Sequence, residues 1–442
     1  MEYRGGKRRV YAAAYQELMT TGMRRTDAYI SMFVKQDKYC ETDILSKMPR
    51  AIQYRSPRYN LMLASFLRPY EHVLYNKPGL GPTATRCITK GLNRSQIAEL
   101  FLTKAAAFDN PLYISADHSK FDSTINETHL KFEHMLYDRT YKNSTLRKLL
   151  KHQLKNKCYT RSGIKYTIRG TRMSGDYNTG LGNSLINKIV LDSWVYGLKH
   201  EIMLDGDDSI IIIEASDLNK LNMNHFEKMG FITKMEFTDE ITQVDYCQTR
   251  LVLGSTVTMC RNPWRALSHM AVTTKCYHPS VYRRWLGGVA ECEASSNKGM
   301  PIYHALFDLV VNNSIRDEEW HRKMQNETVG ISDTINRDGF AATFGISEQL
   351  QLAIEERVSI YTGYNFFKLF NTGKANRSKY DDERIQYWRQ QAQSNIESTS
   401  GKFHSLDATT TPWWGTNGPG SMGSISNAGS IAGYGSITAA AQ

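Results

Sequence analysis

The sequence predicts a mixed α/β fold of the α+β kind, an antiparallel sheet with flanking helices, and three stretches lead there. Residues 202–213, IMLDGDDSIIII, are two apolar runs broken at Asp205-Gly206, which reads as a tight β-hairpin in a buried sheet. Residues 111–125, PLYISADHSKFDSTI, open on an apolar strand that ends at Asp117. Residues 170–194 begin as a Gly-rich polar loop and continue with Leu181, Leu185 and Ile189 at helical spacing. A helix therefore anchors a loop whose backbone can approach a ligand closely.

Along the chain, residues 1–110 mix basic and aromatic clusters with helical and extended patterning and close on the helix-like SQIAELFLTKAAAF. The strand at 111–117 follows. Residues 126–170 are helical, polar and rich in Lys and Arg, and they run into KCYTRSGIKYTIRGT, which reads as a hairpin. A helix at 179–198, the hairpin at 202–213, a helix near 216–229 and strands near 232–237 and 244–258 complete a ββαβ-like unit whose helices cover the sheet. From Asn262 to about His404 the pattern is mostly helical, with a Gly-containing break at SSNKGMP. After Asp407 there is no charged residue, and GSISNA, GSIAGY and GSITAA form an imperfect repeat. Such a Gly/Ser/Ala-rich stretch buries too little apolar surface to offset chain entropy, so disorder is expected there.

Lys and Arg number 55 against 44 Asp and Glu, a net charge of +11 over 442 residues, which attracts polyanions with salt-dependent affinity. The seven cysteines (Cys40, Cys87, Cys158, Cys247, Cys260, Cys276 and Cys292) are odd in number and include no Cys-x-x-Cys pair. A reduced protein with neither disulfide framework nor zinc ribbon is expected. Cys276 and His278 stand two apart but lack a matching second pair, so a packed thiol beside a surface imidazole is the reading. No apolar run reaches transmembrane length and the basic start is not a signal peptide, so membrane attachment would have to come from elsewhere.

Asp207 and Asp208 are adjacent carboxylates beside a buried sheet. Holding two like charges this close is costly unless a cation neutralises them, which points to a hard metal ion on oxygen ligands and to phosphoryl chemistry. Gly-Asp-Asp alone would fit an ordinary turn as well. Asp117 at the mouth of a strand, and Asp122 just beyond it, change that balance.

In order, Asp117-x4-Asp122, Ser174-Gly175-x3-Thr179-x3-Asn183 and Gly206-Asp207-Asp208 resemble the A, B and C motifs of RNA-dependent RNA polymerases of positive-strand RNA viruses. The likeness is greatest to the tombusvirus family and its relatives. FVKQDKY, MPRAIQYRSPRYN, FLRPYEHVLY, DYCQTRLV and CRNPWRALSHM extend it over roughly residues 3–313. The resemblance implies a right-hand polymerase fold: fingers at 1–110, palm at 111–125, a fingers insertion at 126–170, palm again at 171–260, a helical thumb at 261–405 and a tail at 406–442.

It also implies roles. Two divalent ions, Mg²⁺ or Mn²⁺, would be held by Asp117 and Asp207, with Asp208 as an auxiliary ligand. Asp122 and Asn183 would pair with a ribose 2′-hydroxyl, and Ser174 and Thr179 would support the ribose or the motif B loop. Lys35, Lys38, Arg50, Arg55 and Arg58, with Lys47, lie in a basic segment that resembles the lining of a nucleotide channel, Arg50, Arg55 and Arg58 matching best. Lys234 matches a lysine that protonates pyrophosphate, and Tyr246-Cys247-Gln248 a turn that supports the primer. Implied partners are template and product RNA, NTPs and another viral replicase segment or protein that supplies membrane attachment. The implied location is the host cytoplasm, in membrane-associated replication complexes. A reverse transcriptase would share the palm carboxylates, but Gly206, Asp122 and Asn183 favour RNA synthesis. A basic RNA-binding protein without activity would leave three correctly ordered acidic motifs unexplained.

Removing residues 408–442 is expected to shift the thermal unfolding midpoint by no more than about 1 °C, and mild proteolysis should cut there first. A fall of several degrees would show that the tail packs on the core.

Overall fold

A computed structural model describes residues 5–39, 47–270, 272–275, 277–306 and 332–360. The expected tail and the last part of the expected thumb, residues 361–442, lie outside these. The strands are β1 Ile30–Val34, β2 Ala51–Tyr54, β3 Pro111–His118, β4 Lys155–Thr160, β5 Lys165–Arg169, β6 His200–Asp205, β7 Asp208–Glu214, β8 Thr233–Thr238, β9 Thr249–Val252 and β10 Thr258–Arg261. The helices are α1 Gly5–Thr21, α2 Pro57–Tyr75, α3 Arg94–Ala105, α4 Phe121–Thr124, α5 Glu127–Tyr141, α6 Ser144–Leu154, α7 Thr179–Trp194, α8 His225–Lys228, α9 Pro263–Met270, α10 Pro279–Ser296, α11 Thr334–Phe344 and α12 Glu348–Ile360.

The central sheet runs β6-β7-β3-β8 with every neighbouring pair antiparallel. Its middle strand β7 carries four consecutive isoleucines, all fully buried, because both faces are covered. Ile211 and Ile213 join the core under α7 with Ile186, Val190 and Leu191, whereas Ile210 and Ile212 join the core under α3 with Ala98 and Phe101. Burying each such side chain contributes roughly 1.5–3 kcal/mol, so the hairpin is the most firmly held part of the sheet. A buried ion pair between Lys104 of α3 and Glu201 of β6, joined by Thr83 at 2.8 Å (backbone N–H) and 2.6 Å (hydroxyl), ties the preceding loop to this sheet.

A second sheet, β2-β1-β4-β5, has β1 parallel to β4 and its other pairs antiparallel. The helices around it start where the sequence supplies caps: Ser56 before Pro57 at α2, Asn126 at α5 and Asn143 at α6 each accept from a backbone N–H of the first turn. A third core joins β9 and β10 to α9, α10, α11 and α12 through Val252, Ala266, Leu286, Ala290 and Phe340.

Three element expectations change in detail. The helix expected near 216–229 is a 3-10 turn, Ala215–Lys220, and the single turn α8, because Asn222 and Asn224 bond locally instead of continuing a helix. The long strand expected at 244–258 divides into β9 and β10, and the helix expected to reach 198 stops at Trp194 before Gly197, whose φ is +83°. Among the described residues no helix is long and apolar enough to cross a membrane.

Gly339 of α11 lies against β9 so closely that an added Cβ would sit 1.9 Å from the Leu253 carbonyl oxygen. Gly339→Ala should therefore lower unfolding free energy by roughly 1–3 kcal/mol in chemical denaturation. Gly6→Ala in α1, where a Cβ meets nothing within 4 Å, should leave it unchanged or slightly higher.

Candidate active site

The register of the central sheet gathers the acidic motifs. Ala116 pairs with Ser209, so one step further along the same register Asp117 falls beside Asp208; Asp208 also pairs with Asp205 across the hairpin, and Asp117 pairs with Lys234 of β8. Residues opposite one another in antiparallel strands project to the same face, at a strand spacing of about 4.8 Å. Asp205, Asp208, Asp117 and Lys234 thus form a row across one end of the sheet, with Asp207 on the turn above it. Lys90 closes the far end of the row through an ion pair with Asp205.

The bend is one residue later than expected: Gly206 and Asp207 are the loop, and Asp208 already begins β7. Gly206 takes φ +70°, a conformation that costs other residues more. The turn is held from α7. Ser184 accepts from the Gly206 N–H at 3.1 Å, and the Asn187 side-chain amide donates to the carbonyls of Gly206 and Asp207 at 3.0 and 3.2 Å. His118 Nε2 lies 3.1 Å from the Asn187 side-chain oxygen Oδ1. Sequence reasoning missed Ser184, Asn187 and Lys90, whose partners are brought close only by the fold.

Crowding by the surrounding protein, then the carboxylates of Asp207, Asp117 and Asp205, push the Asp208 carboxyl up to about 6 although its side chain keeps an open edge. Burial likewise raises Asp207, with Asp122 and Asp117 adding to it. An acidic row that repels itself and offers only oxygen donors suits a hard divalent cation. Among the described residues no three His, Cys, Asp or Glu side chains are already drawn together around a cation position.

Beside the row, the Asn183 amide donates to Asp122 at 2.7 Å. The Asp122 carboxyl is raised by burial, and Asn183 and Arg172 pull it back down. The loop before α7 is fixed from within. Ser174 accepts from the Gln53 N–H at 3.2 Å, and the Thr179 hydroxyl donates to the carbonyls of Met173 and Asp176 at 2.8 and 2.9 Å. Both hydroxyls thus bond within the protein. Gly175 packs on β2, where a Cβ would come 2.4 Å from that of Tyr54.

With this geometry in place, the family comparison is decisive: the model of the family described as viral RNA dependent RNA polymerase matches residues 1–363. The chain belongs to that family. It is 34% identical over 327 residues to the RNA-directed RNA polymerase of oat chlorotic stunt virus (isolate United Kingdom), covering 70% of this chain and 43% of the relative. It is 32% identical over 389 residues to the RNA-directed RNA polymerases of tobacco necrosis virus (strain A) and melon necrotic spot virus. Those alignments cover 80% and 81% of this chain, and 52% and 49% of the relatives. The chain spans about half the length of the curated relatives it matches.

The basic segment of this family member divides in two. Arg55 and Arg58 do not line an open channel, which corrects the expectation for both. Arg55 is fully buried and its guanidinium bonds to Asp176 at 2.9 Å, to Asn156 and to the Ala28 carbonyl. Arg58 is buried against Gly22, Thr21, Glu17 and Asp27. Desolvated guanidinium needs acceptors: Arg55 bonds through Nε and both terminal nitrogens, and Arg58 through both terminal nitrogens, its Nε lying 3.4 Å from Asp27. Arg50 keeps 66% of its side chain exposed while bonding Asp37 at 2.6 Å, and Lys35 lies 3.3 Å from the same carboxylate. Lys38 donates to the His269 carbonyl at 2.7 Å and sits 5.7 Å from the Trp285 ring centre.

Tyr246 is buried and its hydroxyl pairs with Thr89 at 2.6 Å, which anchors the turn. Cys247 and Gln248 form the tip, both with positive φ (48° and 62°), between Tyr246 and Thr249, which bond each other at 2.9 Å in both directions. Lys234 is mostly exposed and is held in its charged form chiefly by Glu236.

Because Asp208 titrates near 6 in the fold against 3.8 ordinarily, the folded state binds the proton more tightly, and folding stability falls as pH rises between those values. With a chelator present, Asp208→Asn should melt above the wild type at pH 7–8. That advantage should shrink through pH 6 and vanish below about pH 4. A constant offset across this range would show that the carboxyl is not strained in the fold.

Proposed function

We propose that this chain is the catalytic part of an RNA-directed RNA polymerase that adds ribonucleotides to an RNA 3′ end along an RNA template. The observation that carries the reading is the carboxylate row Asp205-Asp208-Asp117, with Asp207 above it and the Asp122–Asn183 pair beside it, in a member of this family. In this reading residues 1–110 and 126–170 are the fingers, 111–125 and 171–260 the palm, and 261–405 the thumb.

Asp117 and Asp207 would hold two divalent ions, Mg²⁺ or Mn²⁺, with Asp208 as auxiliary ligand. Such ions, about 4 Å apart, would activate the attacking hydroxyl and neutralise the triphosphate. The chain's own work is positioning. Arg50 presents an exposed guanidinium to the triphosphate, and Lys234, next to Asp117 in the row, offers a proton to the leaving pyrophosphate. Asp122 and Asn183 meet the 2′-hydroxyl with an acceptor and a donor, which a deoxyribonucleotide cannot satisfy. The turn at Cys247-Gln248 supports the primer end beside Asp208. Net charge of +11 suits template and product RNA. We place the enzyme in membrane-associated replication complexes of the host cytoplasm, with membrane attachment supplied by another replicase segment.

In primer extension on a short RNA template, Asp117→Ala and Asp207→Ala should each abolish metal-dependent synthesis while RNA binding in a mobility-shift assay persists. Substantial synthesis by both variants would overturn the assignment of these two carboxylates. Asp122→Ala should narrow the preference for NTP over dNTP by roughly 1–3 kcal/mol, the penalty for a lost buried polar partner.

A further inference from the structure

We propose that Arg172 is a positioning residue for sugar selection, holding the Asn183 amide in the one orientation that presents its N–H groups to Asp122. This rests on the reading of Asp122 and Asn183 given above.

An asparagine amide has nearly the same shape in its two flipped orientations, so its direction is set by its partners alone. At Asn183 the partners are of opposite kind. The Arg172 Nε–H, a donor only, lies 2.9 Å from the amide oxygen, and the Asp122 carboxylate, an acceptor, lies 2.7 Å from the amide nitrogen. A flip would set N–H against guanidinium and oxygen against carboxylate, two repulsive contacts in a buried place. Arg172 also fixes Asp122 through the backbone, its N–H donating to the Asp122 carbonyl at 2.8 Å. Among the described residues only one oxygen of the Asp122 carboxylate is bonded to a protein side chain, leaving the other for a hydroxyl.

Arg172 is itself held rigidly. Its terminal nitrogens reach both oxygens of Glu133, and both side chains are almost wholly excluded from solvent. Glu133 is completed by the Tyr137 hydroxyl and the Asn178 amide, each at 2.8 Å. The pair packs directly on Gly182 of α7: a Cβ there would come 2.5 Å from Arg172 Nη2 and from Glu133 Oε1, so one of them would have to shift. Glycine inside a helix costs stability relative to alanine, and a buried ion pair is a poor way to gain it. Both features fit a device for orientation.

The test compares kcat/KM for UTP and dUTP in primer extension by the full chain, carried in wild type, Asn183→Ala, Arg172→Gln and the Arg172→Gln/Asn183→Ala double variant. A ratio of two substrates on one preparation does not depend on how much of it is folded. Should Arg172→Gln fail to fold around the unpaired Glu133, Arg172→Gln/Glu133→Gln removes both charges and takes its place, alone and combined with Asn183→Ala. Asn183→Ala is expected to lower the UTP:dUTP preference roughly ten-fold, Arg172→Gln several-fold, and the double variant no further than Asn183→Ala, because Arg172 acts through Asn183. A preference lowered by Asn183→Ala but untouched by the Arg172 variants, or effects that multiply in the double variant, would overturn the inference and leave the sugar-selecting pair standing. A preference unmoved by Asn183→Ala would overturn both.

Discussion

Repulsion among like charges is the constraint around which this molecule is arranged. Three aspartates, Asp205, Asp208 and Asp117, fall side by side on adjacent strands, and Asp207 projects from the turn above them. No packing of apolar groups favours that juxtaposition, and the Asp207 and Asp208 carboxyls are raised by burial first and by the neighbouring carboxylates in addition. The structure offsets the cost in two ways. The isoleucine hairpin is buried on both faces, which anchors the strands that carry the row. Lysines stand at both ends of the row, Lys90 on Asp205 and Lys234 beside Asp117.

Helix α7 is the common support for two groups of residues that the sequence presents as separate motifs. Within two turns it carries Gly182, Asn183, Ser184 and Asn187. Asn183 faces Asp122, whereas Ser184 and Asn187 hold the Gly206-Asp207 turn. The Asp122–Asn183 pair and the Gly206-Asp207 turn are therefore referred to one rigid element. Displacing α7 by a fraction of an ångström would disturb both at once, which is why its buried face is packed by Leu181, Leu185, Leu191 and Trp194.

A second set of charges lies out of reach of any nucleotide. Arg55 and Asp176 form a buried pair that Gln153 joins at 3.0 Å, and Gln153 also donates to Asn178 at 2.8 Å. Asn178 in turn reaches Glu133 and so Arg172. This continuous network runs behind the loop that precedes α7. Removing one member would strand a charge in a medium that solvates it poorly, so such networks stiffen what they contain. The basic segment around residue 50 thus serves two ends: Arg50 stays at the surface, while Arg55 and Arg58 hold the loops together.

The sequence by itself determined the sheet, the hairpin and the identity of the acidic and amide residues. Apolar runs, turn residues and helical spacing are local properties that act over a few residues, and Asp117, Asp122, Asn183, Asp207 and Asp208 stand in motifs with fixed spacing. Asparagine breaks shortened the helix expected near 216–229, where propensity outweighed pattern. Only the tertiary structure decided which charges face outward. Arg50, Arg55 and Arg58 look alike in sequence, yet two of them are enclosed by acceptors drawn from segments up to about 120 residues away. Lys90, Ser184, Asn187 and Arg172 gave no local signal for the same reason. Their roles depend on partners brought close by strand register and helix packing, and a charge is neutralised, desolvated or oriented by whatever neighbours the whole fold places around it.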